Sequence, residues 1–277
     1  MITASIVLYK TNIEQLKTAV QSYNPSENRR LYLVDNSPED SELPSELKSP
    51  NVEYVFVGKN LGYGAGHNIA IKKAIEVGSE YHAVLNPDLR FESSVIDELK
   101  KFADENHSVG HLMPKILNPD GEIQYLCKLI PTPFDLIFKR FLPGLLKEKL
   151  SYRFQLKFTD YNHVMDIPYL SGCFMFFRTS ALKEVDGFDE RFFMYPEDID
   201  ITRRIHQKFR TVYYPMVRIY HEHAAESYKS KMMLKIHIEN MCRYFNKWGW
   251  FFDSERRKVN KQVLKDLNWK ELRRTKS

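Results

Sequence analysis

Val52-Glu53-Tyr54-Val55-Phe56-Val57-Gly58-Lys59-Asn60-Leu61-Gly62-Tyr63-Gly64-Ala65-Gly66-His67-Asn68 runs from a β-rich apolar stretch, through a polar turn with alternate glycines, into a helix-forming segment. Strand, loop and helix start in succession are half of a βαβ unit. The same grammar extends outward on both sides. Thr3 to Tyr9 is a short apolar run, and Ile13, Leu16, Val20 and Tyr23 follow at helical spacing behind Asn12, a candidate N-cap. Arg30 to Asp35 reads as a second strand, Val52 to Val57 as a third, Ala65 to Val77 as a helix and Tyr81 to Leu85 as a fourth strand. A helix over Ser93 to Glu105 places Val95, Ile96, Leu99 and Phe102 on one face. Such alternation predicts an α/β fold with a mainly parallel sheet flanked by helices, whose ligands lie beyond the carboxyl ends of the strands.

After Gly110 the pattern changes. A turn is expected at Asn118-Pro119-Asp120-Gly121, then strands at Val164 to Tyr169 and Cys173 to Arg178, a helix over Pro196 to Lys208, strands at Arg210 to Tyr214 and Val217 to His221, and a long helix from about Lys229 to Trp248. The expected organisation is one large domain over 1–228, with a nucleotide-binding half (1–110) and an acceptor or catalytic half (111–228), followed by a basic helical extension over 229–277. A chain of 277 residues, 43% of them hydrophobic, is long enough for a sizeable core. Its three cysteines are odd in number and widely spaced, which argues against a disulfide framework and for a reducing compartment. No basic leader precedes the first apolar run, and no apolar stretch nears the roughly 18 residues of a membrane span, so a cytoplasmic protein is expected.

The net charge of +5 is unevenly placed: Asp253 to Ser277 hold nine Lys/Arg against four Asp/Glu, and the remainder is balanced at 32 each. Such a tail touches anionic lipid or nucleic acid, or is simply a solvated basic helix. Phe134 to Leu150 mixes large apolar residues with Lys139, Arg140, Lys147 and Lys149, a pattern shared by interfacial membrane helices and ordinary core-facing ones. The aromatic run from Tyr244 to Phe252 reads as a core-sealing or interfacial helix end rather than a platform for sugar rings.

Three early strand ends finish in polar residues, at Asp35-Asn36-Ser37, at the loop from Gly58 to Asn68, and at Asn86-Pro87-Asp88. Glycines at 62, 64 and 66 let backbone amides approach a diphosphate at a helix N-terminus, although a plain strand-to-helix turn has the same composition. Leu-Asn-Pro-Asp occurs twice: the copy at 117–120 precedes Gly121 and reads as a turn, whereas the copy at 85–88 ends a buried strand. There Asp88 suits a divalent cation shared with substrate phosphates, or a turn before the next helix. Glu197-Asp198-Ile199-Asp200 opens a helix behind Pro196; its acids serve as capping residues or supply an ionised carboxylate as general base. His221 and His223 end a strand on the same side, as a structural pair or as a ligand to a metal or phosphate.

In combination these segments resemble the family 2 glycosyltransferases, and within them the rhamnosyltransferase-like branch that builds bacterial O-antigen and capsule glycans. The resemblance runs in order from Ser5 to about Tyr228, through Ser5-Ile6-Val7-Leu8-Tyr9, Val34-Asp35-Asn36-Ser37, Asn60 to Asn68, Asn86-Pro87-Asp88, Ser171-Gly172-Cys173, Gly187-Phe188-Asp189-Glu190, Glu197-Asp198-Ile199-Asp200 and His221. It implies a GT-A fold in which Leu8, Tyr9, Asp35 and Asn60 hold the nucleoside, with Gly62, Gly64, Asn68, Asn86 and Gly172 also on the donor. It further implies Asp88 and His221 as ligands to Mg2+ or Mn2+, and Asp198 as catalytic base. Asn86 replaces the first acid of the family's usual D-x-D signature. The implied activity is transfer of a sugar, with rhamnose a candidate, from a nucleotide-diphosphate donor to a hydroxyl of a cell-surface polysaccharide or lipid-linked acceptor, with inversion. Contact with the inner face of the membrane through 134–150 and the basic C-terminus is part of that expectation, and a nucleic-acid partner is not. Two other classes share parts of the pattern: a nucleotidyltransferase that makes sugar nucleotides, which lacks an N-terminal Gly-rich triphosphate loop here, and a non-catalytic protein that binds membrane or nucleic acid through the tail.

Overall fold

The computed structural model describes residues 1–40, 42–137, 144–222 and 231–275. The first half follows the expected order: β1 (Ile2–Leu8), α1 (Ile13–Tyr23), β2 (Arg29–Asp35), β3 (Val52–Phe56), α2 (Tyr63–Glu76), β4 (Tyr81–Leu85), β5 (Leu89–Arg90) and α3 (Ser94–Glu105). Asn12 caps α1, its side-chain oxygen accepting from the N–H groups of Glu14 and Gln15. The second half contains β6 (Val109–Leu117), β7 (Cys127–Lys128), α4 (Pro133–Leu136), α5 (Gly144–Phe154), β8 (Met165–Asp166), β9 (Tyr169–Leu170), β10 (Phe174–Arg178), α6 (Thr179–Val185), α7 (Glu197–His206) and β11 (Arg210–His221), and then α8 (Lys231–Trp248), α9 (Ser254–Asp266) and α10 (Trp269–Thr275).

Among the described residues the main sheet has nine strands, in the order β3-β2-β1-β4-β10-β6-β11-β5, with β8 paired to β11. The strands β3, β2, β1 and β4 are mutually parallel, as βαβ connections require, and β10 enters antiparallel between β4 and β6. This insertion places the end of β4 beside the start of β10: the Asn86 N–H donates to the Cys173 carbonyl at 3.0 Å. The segment read as one strand over 164–169 is split, because β8 joins the main sheet while β9 pairs with β7 in a small separate ribbon. Conversely, the two strands expected at 210–221 are one long strand whose register with β6 shifts between Tyr214 and Arg218, around Pro215, which has no N–H for the ladder. The apolar-basic stretch is likewise not one helix: α4 starts in a Thr132–Asp135 capping box and is only four residues long, and Lys139 and Arg140 fall outside the described residues.

The helix α2 lies on the sheet through close backbone contacts as well as through buried Ala70, Ile71 and Ala74. A Cβ at Gly64 would stand 2.9 Å from the Phe188 Cβ, and one at Gly66 would stand 2.8 Å from a Val7 methyl. Beneath it Ser5 Oγ bridges His67 Nδ1 at 2.7 Å and His82 Nε2 at 2.9 Å, and burial pushes both imidazoles toward their neutral forms. The C-terminal helices share the principal core, to which Tyr244, Phe245, Val263 and Leu264 belong. They are also locked to α7: Arg203, 1% exposed, forms a two-pronged bond to Asp253 (2.8 and 2.8 Å) and reaches Glu255, while the Trp248 indole donates to Asp200. The lone apolar faces of α8 and α9 are thus covered by the sheet's own core. All three cysteines are free thiols, and among the described residues no helix is long and apolar enough to cross a membrane.

Candidate active site

The carboxyl ends of β4 and β11 and the amino end of β10 meet at one place, and five contacts connect the two acids singled out in the sequence. Asp198 Oδ2 accepts from the Gly172 N–H at 3.0 Å, and the Gly172 carbonyl accepts from Tyr63 Oη at 2.6 Å. Tyr63 Oη lies 3.1 Å from the Asn86 side chain, Asn86 lies 3.5 Å from His221 Nε2, and His221 Nε2 lies 3.4 Å from Asp88 Oδ1. Tyr63 has one hydroxyl proton, and the shortest contact assigns it to Gly172. The Asn86 amide is therefore best oriented with its nitrogen toward Tyr63 and its oxygen toward His221, an orientation set by the hydrogen-bond network.

Asp88 Oδ1 is buried and accepts no well-aligned hydrogen bond, despite its proximity to His221. On the far side of the imidazole, Nδ1 lies 3.0 Å from Gln124 Oε1, and Gln124 Nε2 donates to the His221 carbonyl at 2.8 Å. That contact fixes the proton on Nδ1 and turns Nε2 toward Asp88, the arrangement by which an outer residue orients a metal-binding histidine. Burial favours the neutral ring, but Cys173 and Asp88 outweigh it and raise the histidine to about 10 in the absence of a cation. Among the described residues no group of three or more His, Cys, Asp or Glu stands close enough to hold an ion unaided. A divalent cation of the Mg2+ type needs only one or two carboxylates, its other positions going to phosphate and water, so the Asp88–His221–Asn86 trio fits one.

Asp198 is surrounded differently. It is 8% exposed, its Oδ1 accepts from the Ile199 N–H at 2.8 Å, and Oδ2 receives Gly172 and, at 3.5 Å, Tyr169 Oη. Gly172 permits this approach, because a Cβ there would stand 3.0 Å from the Asp198 Cβ. The sequence predicts that the helix start keeps Asp198 ionised, and burial reverses that sign. Burial raises both carboxyls of the pair, that of Glu197 well above the usual range and that of Asp198 to about 6, the latter held back by Lys128 and the Gly172 and Ile199 amides. Lys128 itself lies 4.7 Å from the Tyr169 ring centre. The two carboxyls titrate as a coupled pair, with the upward push stronger on Glu197 than on Asp198.

The remaining expected donor residues divide into two groups. Leu8, Tyr9, Asp35 and Asn60 cluster at the ends of β1, β2 and β3; Tyr9 is 48% exposed, and Asp35 accepts from the Ser37 N–H and the Tyr54 hydroxyl. Asn60 caps the glycine loop by accepting from the Gly62 N–H. Gly62 is required for packing: its φ is +87°, and a Cβ would fall 2.2 Å from the Phe193 carbonyl oxygen. Asn68 departs from expectation. Its amide donates to the Phe188 carbonyl and Glu190 and accepts from the Phe188 N–H, so it is a strut between α2 and the 187–190 loop rather than a donor contact. It lines a cavity of about 450 Å3, together with Lys72, Lys183, Arg204 and Lys247, in whose walls neither Asp88 nor Asp198 takes part. Pro196 takes the N-cap position rather than the first helical turn, and His223 lies outside the described residues.

Residues 142–246 match the family model described as Glycosyltransferase like family 2. The chain is 28% identical over 208 residues to N-acetylglucosaminyl-diphospho-decaprenol L-rhamnosyltransferase of Mycobacterium tuberculosis, a match covering 70% of this chain and 66% of that protein. It is 25% identical over 250 residues to the rhamnosyltransferase WbbL of Escherichia coli, covering 86% and 90%. This chain is thus similar to the family 2 glycosyltransferases and, through these relatives, to their rhamnosyltransferase-like branch. It spans just under two thirds of the mycobacterial relative's length. The fold is GT-A: Staphylococcus aureus TarS 1–349 in complex with UDP-GlcNAc superimposes with a TM-score of 0.59 at 16% identity, over 95% of this chain and 71% of that one. GalNAc-T7 with UDP, GalNAc and Mn2+ gives a TM-score of 0.59 at 14% identity, over 87% and 47%.

Tyr63, Lys128, Tyr169 and Gln124 carry no functional assignment in the sequence reading. Tyr63 lies inside the quoted glycine loop, where an aromatic between glycines was the available signal. The others sit in short, aperiodic stretches whose partners are 29 to 97 positions away.

Proposed function

We propose that this chain transfers a sugar from a nucleoside-diphosphate donor to a hydroxyl of a glycan or lipid-linked glycan acceptor, inverting the anomeric centre, with Asp198 as general base. The supporting observation is the run of contacts from Asp198 through Gly172, Tyr63, Asn86 and His221 to Asp88, which links the proposed base to the proposed cation corner. Leu8, Tyr9, Asp35 and Asn60 line the nucleoside end, with the backbone at Gly62 and Gly64 beside it. The relatives' names make rhamnose the first donor sugar to test.

Asp88 and His221, with the Asn86 carbonyl, would hold Mg2+ or Mn2+, which when bound neutralises charge on the departing diphosphate. Asp198 Oδ2 takes the proton of the acceptor hydroxyl as its oxygen forms the bond to the anomeric carbon and the bond to the diphosphate oxygen breaks. Tyr63 and Gly172 fix the base relative to the cation corner, and the close packing around Asp198 keeps bulk water from competing. Purified protein is incubated with uridine, thymidine and guanosine diphosphate sugars and Mn2+, and nucleoside diphosphate release is followed. Slow release from one donor, abolished by chelation, is expected. Release of pyrophosphate from a nucleoside triphosphate plus a sugar phosphate, with no donor turnover, would overturn the proposal.

A further inference from the structure

Phe251 and Phe252 are 68% and 91% exposed, and Phe134, 41% exposed, stands across a cavity of about 350 Å3 lined by 132–134, Trp250, Phe251, Arg256 and Arg257. This exposure is built in. The loop between α8 and α9 turns at Gly249, whose φ is +98°, and Arg256, 5% exposed, donates from beneath to the carbonyls of Trp250, Gly249 and Pro131. Asp253 caps α9 through the Arg256 N–H and is clamped by Arg203, so the loop cannot fold its phenylalanines inward without breaking a buried ion pair. A rigidly presented, unburied aromatic pair marks an interaction surface rather than incidental exposure.

Charge identifies the partner. The helix that follows turns Val263 and Leu264 into the core, whereas Arg257, Lys258, Lys261 and Lys265 are exposed and, at about 100° per residue, occupy one stripe about 100° wide. Aromatics at the tip of a basic stripe match a bilayer with anionic headgroups: rings enter the headgroup–acyl boundary and cations meet phosphate. We infer that the 249–252 loop, Phe134 and the basic face of α9 form one docking surface for an anionic lipid bilayer. The surface is joined to the elements that carry the candidate site. Lys128 is six positions before Phe134, and α7, which carries Asp198, is bound to the loop's end by Arg203. The inference goes beyond the proposed transfer and stands without it.

The test is cosedimentation of the full chain with vesicles of pure phosphatidylcholine and with vesicles also containing phosphatidylglycerol. Binding to the second kind, weakened by salt, is expected. Phe251→Ser with Phe252→Ser should lower it by at least about tenfold, and Lys258→Gln and Lys261→Gln by about fivefold each. All of these side chains are exposed, so melting temperatures should match the wild type. No binding of the wild type to either vesicle, or undiminished binding of the Phe251/Phe252 variant, overturns the inference. So does self-association that the same variant abolishes in the absence of vesicle binding, which would assign the surface to a second copy. These readouts need no turnover, so their failure leaves the role of Asp198 untouched.

Discussion

At one end of the crevice Asp88 has a buried oxygen without a good donor, facing an imidazole whose other nitrogen is held by Gln124. At the other end Asp198 has both oxygens met by backbone N–H groups and a lysine nearby, yet burial still raises its pKa. The first corner pairs its carboxylate with an imidazole raised toward its charged form; the second withholds solvent from its carboxylate. Two carboxylates with such different surroundings suit two different tasks, one holding a cation and the other exchanging a proton.

The strongest way to separate them is Asp198→Asn, which should lower turnover by about 10²- to 10⁴-fold with donor KM nearly unchanged. A parallel rise in donor KM would move Asp198 to the donor side. The wild-type pH profile sharpens the same point. A base must be deprotonated, so kcat/KM should fall by about tenfold per pH unit below pH about 6 and level off above it. Stability has the opposite sign: a carboxyl raised in the folded state favours folding fully below its unfolded value and loses that contribution as pH rises through about 6.

A second variant probes the frame behind the base. Arg203→Met leaves buried Asp253 without its two-pronged partner, with only Arg256 remaining, and should cost about 3 kcal/mol, seen as a fall of roughly 10 °C in Tm. The crevice around Asp88, built on β4 and β11, should retain cation-dependent nucleotide binding at temperatures where this variant is folded.

The smallest effect belongs to the link between the corners. Tyr63→Phe keeps the packing against His67 and removes only the hydroxyl, so kcat should fall by a few-fold, in line with about 1 kcal/mol for a hydrogen bond, with donor KM little changed. A loss as large as that of Asp198→Asn would make Tyr63 part of the chemistry itself.

The parallel half of the fold was legible because its signals are local. Alternating strands, the Asn12 cap and the boundaries of β4 follow from nearest neighbours in sequence. The meeting of Asp88 and His221 was legible too, since both end strands of one sheet. What escaped depends on distant partners: β10 slips between β4 and β6, and the Arg203 lock spans fifty positions to Asp253. The glycines show the limit from the other direction. Their spacing suits a phosphate loop, but the contacts of Gly64 with Phe188, of Gly66 with Val7 and of Gly62 with Phe193 are what require them. The direction of the Asp198 shift was not legible, because a helix start favours the anion locally, whereas burial is set by partners distant in sequence, the 171–173 turn among them.

The division of labour between the two carboxylates is tested most directly by melting the wild type, Asp88→Asn and Asp198→Asn with a nucleoside diphosphate, with and without Mn2+, since a ligand of the folded state raises Tm by mass action. The wild type and Asp198→Asn should each gain stability from nucleotide only when Mn2+ is present, and Asp88→Asn should gain none. A Mn2+-dependent gain in Asp88→Asn, or its loss in Asp198→Asn, would contradict the assignment of the cation to one corner and the proton to the other.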